Sequence, residues 1–108
     1  MDIQQFAAKY GLAIKCEKNL GDERTVRIPA NNGYLEDFHG NAGRLSGCVL
    51  TGGLVERIKV KALLMLCGCR LKKPFPFDDG SAVEFDFDPR DARQALTAIR
   101  LADVPCAE

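Results

Sequence analysis

Gly80-Ser81-Ala82-Val83-Glu84-Phe85-Asp86-Phe87-Asp88-Pro89-Arg90-Asp91, continued by Ala92-Arg93-Gln94-Ala95-Leu96, sets the fold class of this chain. Val83, Phe85 and Phe87 alternate with Glu84, Asp86 and Asp88, a period of two that gives a strand one apolar and one acidic face. A helix is predicted to follow at once. Asp88 suits its N-cap, Pro89 its first position, and Asp91 completes a carboxylate variant of the capping box. That helix is expected over 89–102, burying Ala92, Ala95, Leu96 and Ile99, with Pro105 as its stop.

Upstream, Asp2 and Gln5 have capping-box spacing, and Ile3, Phe6, Ala7 and Tyr10 form a helical apolar stripe that Gly11 can close in the left-handed conformation. Leu12, Ile14 and Cys16 then alternate with polar neighbours as a strand. Thr25-Val26-Arg27-Ile28 is a second strand, and Asn31-Asn32-Gly33 a hairpin signal that returns the chain as Tyr34-Leu35-Glu36-Asp37-Phe38. A fourth strand is read over 45–50. Arg57-Ile58-Lys59-Val60-Lys61 alternates like a strand, yet Val55, Ile58, Ala62 and Met65 keep helical spacing, and length with Gly68 as a stop favours a helix through 62–67. Cys69-Arg70-Leu71-Lys72 is read as the fifth strand. The expected architecture is one α+β domain, order αββββαββα, with an antiparallel sheet or sheets of about six short strands.

Bulk properties narrow the function classes. Fifteen basic and fifteen acidic residues cancel, which disfavours a protein built to coat nucleic acid non-specifically. The longest apolar run, Ala62-Leu63-Leu64-Met65-Leu66-Cys67, is far below the roughly 20 residues of a membrane span. The start, Met1-Asp2-Ile3-Gln4-Gln5, lacks the basic and apolar regions of a signal peptide, and five scattered cysteines fit reduced thiols in a cytoplasm.

No reaction is written in the motifs. Cys67-Gly68-Cys69 lacks the paired knuckles of a zinc site, and both thiols are expected to face the core. His39 falls in a turn after Glu36 and Asp37, and Ser46 and Ser81 have no nucleophile-elbow context. Neither a catalytic residue, a metal site nor a cofactor is therefore assigned. Residues 3–12 superficially match the first helix of a helix-turn-helix, but a strand pattern follows where the recognition helix should stand.

Three surfaces are candidates for binding. Asp78, Asp79, Glu84, Asp86 and Asp88 form the densest acidic cluster, expected either to pair with Arg70, Lys72 and Lys73 across a hairpin or to meet a partner through Glu84 and Asp86. Pro74-Phe75-Pro76-Phe77 must lie at an edge or in a loop, where Phe75 and Phe77 either cover the core or anchor a partner. Arg90, Arg93 and Arg100 are expected along one helix face, opposite Leu96 and Ile99, as a phosphate-contacting alternative.

From about 57 to 104 the chain resembles the C-terminal part of small uncharacterised proteins of prophages and other mobile elements. Ala62-Leu63-Leu64, Gly68, Asp79-Gly80, Phe85-Asp86-Phe87-Asp88-Pro89 and Gln94-Ala95-Leu96-Thr97-Ala98-Ile99 carry the resemblance. It implies a phage-like context without a mechanism. The expectation is a cytoplasmic, monomeric or homodimeric, non-catalytic accessory protein that binds a protein partner, with an inhibitor of a host nucleic-acid enzyme (anti-CRISPR or anti-restriction type) as its concrete form. A DNA- or RNA-binding regulator is the alternative. A small enzyme or metal protein using His39 or the Cys67/Cys69 pair stands third.

Overall fold

The computed structural model describes residues 2–18, 24–37, 43–72 and 82–105. Along the chain run α1 (Ile3–Tyr10), β1 (Lys15–Lys18), β2 (Arg24–Ala30), β3 (Gly33–Asp37), β4 (Leu45–Leu50), α2 (Leu54–Leu66), β5 (Arg70–Leu71), β6 (Ala82–Phe87) and α3 (Ala92–Ala102). The α+β class and the order of elements are as the sequence predicts. Among the described residues, five strands have at least four residues, and β5 is a two-residue stub. All share one antiparallel sheet in the order β1-β2-β3-β4-β6-β5.

Register explains the layers. Ile28 faces Leu35, Leu35 faces Gly47, Gly47 faces Phe85, and Leu71 follows on the same row. With Leu45, Val49, Val83 and Phe87 these residues make one apolar sheet face. Onto it pack Ile3, Phe6 and Ala7 from α1, Val60 and Leu64 from α2, and Ala95, Ala98 and Ala102 from α3. Phe6 meets Phe87 edge-on at 5.6 Å between ring centroids, a favoured aromatic geometry. The opposite face carries the alternating partners: Arg27, Tyr34, Glu36, Ser46, Glu84 and Asp86.

Helix α1 begins with the predicted capping box on Asp2 and ends at Gly11, whose φ is 66°. The strand after it starts later than expected, at Lys15, because Leu12 turns into the core through a bond from its N–H to Ala7 O while Ile14 is half exposed. The Asn31-Asn32 turn does more than join β2 to β3. Its two N–H groups donate to Asp103 O and Ala102 O, satisfying carbonyls that the end of α3 would otherwise leave unpaired.

Helix α3 starts later than the sequence predicts. Its N-cap is Asp91, whose carboxylate accepts from Arg93 N and Gln94 N. Asp88 instead opens a turn: its carbonyl accepts from Asp91 N and its side chain from Arg90 N. Asp and Pro are the favoured first two residues of such a turn, so Asp88-Pro89 satisfies turn chemistry as well as helix-start chemistry. Gln94 decides between them, because its Oε1 reaches back to accept from Asp88 N. Arg90 thus precedes the helix rather than lying on it. Ala92 and Leu96, expected inside, are exposed, and only Ala95 of the four predicted core residues is fully buried.

Candidate interaction surface on α2 and α3

A 13-residue helix in a two-layer domain can bury one side, and α2 is apolar on nearly all sides. Val60 and Leu64, one turn apart, take the core side. The stripe that identifies the helix in the sequence, Val55, Ile58, Ala62 and Met65, faces away from it. Val55, Ile58, Met65, Leu54 and Leu66 are each more than half exposed, reaching 76% at Leu66. Leu63 and, from α3, Leu96 are about half exposed and extend the patch.

Side chains of this size and exposure leave on the order of 100 Å² each in water, so the patch reaches roughly 700–800 Å², against about 300–600 Å² for the largest patch of an ordinary monomer. A partner in a standard-size interface contributes about 800 Å². Both flanks of the stripe are basic. Lys59 is exposed on one side and Lys61 half-buried on the other, while the acid of the helix, Glu56, is occupied by accepting from Gly52 N at 2.9 Å.

Beside the stripe, a groove of about 330 Å³ separates α2 from α3. Leu63, Leu66 and Cys67 line one wall, and Arg93, Leu96, Thr97 and Arg100 the other. Arg93 and Arg100 are therefore next to Leu96, not opposite it as the sequence reading has it. Both cysteines pack on the core as expected, Cys69 buried within it and Cys67 half-buried against it, but Cys67 also opens into the groove. Their sulfurs lie 3.5 Å apart, and Cys67 Sγ donates to Leu64 O at 3.3 Å. Burial, reinforced by the hydrogen bond and charge of Cys67, pushes the Cys69 thiol up to about 12.

The acidic strand is not an open acidic face. Asp86 is only 7% exposed and is held by Arg44, whose Nε meets Asp86 Oδ1 and whose Nη2 donates to Asp86 O at 3.4 Å. Arg70 stands directly across from Asp86 in the register, yet the pair forms with Arg44. Lys72 likewise spends Nζ on the buried Ser46 hydroxyl, and its N–H donates to Glu84 O. Glu84, on the same strand face, is half-buried. Nearby, Arg27 donates to Glu36 at 2.9 Å and stacks 4.4 Å from the Tyr34 ring, so this sheet face is largely self-neutralised. Burial and the neighbouring Cys48 and Glu36 raise the Tyr34 phenol.

Phe75, Phe77, His39, Lys73, Asp78 and Asp79 lie outside the described residues. Among the described residues, no group of three or more His, Cys, Asp or Glu side chains is placed to hold a metal, and no helix is long and apolar enough to cross a membrane. The α2 patch is the surface that sequence reasoning missed, although its signal was present: nine apolar residues in one short helix exceed what one buried side can absorb. No protein-family model, curated protein or solved structure matches the chain.

Proposed function

We propose that this chain is a non-catalytic protein-binding accessory protein whose α2 stripe docks an amphipathic helix with acidic flanks from a protein partner. The observation that carries this reading is the outward-facing Val55, Ile58, Ala62 and Met65 row, with Leu54 and Leu66 beside it. Such a row, at spacings of three and four, is what a partner helix packs against in a helix-in-groove interface. Lys59, Lys61, Arg93 and Arg100 around it select an acidic partner and oppose a second, equally basic copy. In the phage or mobile-element setting that the C-terminal resemblance implies, the partner is a host protein, and inhibition of a host nucleic-acid enzyme is the concrete form. Support no longer comes from Asp86, which Arg44 neutralises. A nucleic-acid role for Arg93 and Arg100 is weakened by the leucines that share their groove.

The test uses two synthetic helical peptides with the same leucine face, one flanked by Glu and one by Lys, read by fluorescence anisotropy. The acidic peptide should bind and the basic one should not, and V55D/I58D should abolish binding while leaving the circular dichroism spectrum intact. Equal binding of both peptides, or of neither, overturns the reading. So does a stable wild-type dimer in light scattering that V55D/I58D dissociates, since a second copy would then occupy the face.

A further inference from the structure

The α2–α3 groove combines a thiol pair with cationic walls, and neither the docking stripe nor the fold requires that combination. We propose that Cys67 and Cys69 are a thiol–disulfide exchange pair that reacts with small anionic disulfides, of the oxidised-glutathione class, bound in this groove. Four observations carry it. The two sulfurs are 3.5 Å apart, so little motion separates them from a bond. Gly68 between them has φ of 96°, which lets the chain reverse and bring the two side chains together. Cys67 opens into a groove of about 330 Å³, large enough for a short peptide-like ligand, while Cys69 is shielded behind it. Arg93 and Arg100 line the opposite wall and offer guanidinium groups to carboxylates.

The roles follow from access. Partly exposed cysteines in electropositive surroundings are the reactive ones, and buried ones are inert until a neighbour delivers an electrophile. Cys67 loses its proton to solvent, and its sulfur bonds to one sulfur of the bound disulfide. The ligand's S–S bond breaks, and the first thiolate leaves and takes up a proton. Cys69 sulfur then attacks Cys67 sulfur, the mixed disulfide breaks, and the second thiolate leaves with the proton from Cys69. The protein dithiol is oxidised by two electrons and one small disulfide is reduced to two thiols. Because burial favours the protonated form of the Cys69 thiol, the second step is the slower one near neutrality, and the Cys67 mixed disulfide accumulates before ring closure. This proposal shares Arg93 and Arg100 with the helix-docking reading but needs no partner, and it is tested on the protein alone.

Reduced full-length protein is mixed with oxidised glutathione, quenched at intervals, and mapped by peptide mass spectrometry. Cys67 should be the first site to gain glutathione, followed by loss of that adduct and of two hydrogens across 67–69, faster as pH rises. C69S should trap the Cys67 adduct. The surface variant R93E/R100E, which leaves both thiols in place, should slow glutathione exchange about tenfold relative to neutral bis(2-hydroxyethyl) disulfide and accelerate cationic cystamine relative to it. Modification of Cys48 or another cysteine ahead of Cys67 overturns the proposal. An adduct that never closes overturns the role of Cys69, and equal effects of R93E/R100E on all three disulfides overturn the anionic-ligand assignment.

Discussion

Gly47 shows how much a single residue can decide in this sheet. It faces Phe85 across the β4–β6 register, and a Cβ there would stand 2.4 Å from Phe85 Cζ. The ring, fully buried, lies over the glycine and uses the space a side chain would take. Gly47→Ala should therefore destabilise the protein by about 1–3 kcal/mol through overpacking, although alanine is ordinarily the better strand residue. Urea unfolding monitored by circular dichroism checks it, and an unchanged midpoint would show that Phe85 can move aside. Some residue roles are legible beforehand: Asp2, Gln5 and Gly11 act locally, through atoms three or four positions away, and sequence spacing contains them. The Gly47–Phe85 contact and the Arg44–Asp86 pair are not legible, since their partners are 38 and 42 residues apart in number and meet only after the sheet has formed. Alternation correctly puts Asp86 on the polar face, but it does not tell a solvated face from one covered by a neighbouring arginine.

At the scale of elements, existence and order follow from periodicity, while ends and orientations follow from competition between alternatives. The segment Asp88-Pro89-Arg90-Asp91 contains two carboxylates that can each cap a helix. In the folded chain Asp91 accepts from Arg93 N at 3.0 Å and from Gln94 N at 3.3 Å, whereas Asp88 serves the preceding turn. Asp91→Ala should cost about 1 kcal/mol, as expected for loss of an N-cap, while leaving the sheet intact. If thermal unfolding of Asp91→Ala matches the wild type, Asp91 is not the operative cap. Helix α2 teaches the complementary point. Its spacing identifies a helix, but spacing alone does not say which apolar side faces the core when more than one is available. Val60 and Leu64 hold that place, where α2 meets β5, β6 and α3, and the regular row is left for solvent or a partner.

For the whole molecule, the unresolved question in the sequence is whether the N-terminal meander and the C-terminal hairpin share a sheet. They do, through β4 and β6, whose register runs from Leu45↔Phe87 to Leu50↔Ala82. Physical reasons favour this order over one with β5 inside. β6 has six residues and buries Val83, Phe85 and Phe87, so it fits a position with neighbours on both sides. β5 offers two residues, one an exposed arginine, which suits an edge. The chain accordingly leaves β4, crosses as α2 and β5, and returns β6 into the gap. That long-range junction ties every layer together, because α1 reaches it through Phe6 and Phe87 and α3 through the alanines packed on the same face. Local openings at the edges need not disturb it, whereas separating β4 from β6 divides the core. In native-state hydrogen exchange, the amides that bond β4 to β6 should therefore exchange only with global unfolding. Those of β1 and β5 should exchange on the order of a hundredfold faster, through local opening. Slowest exchange in the β1–β2 pair would instead make the N-terminal meander the stable unit, with β6 added to it as a separable element.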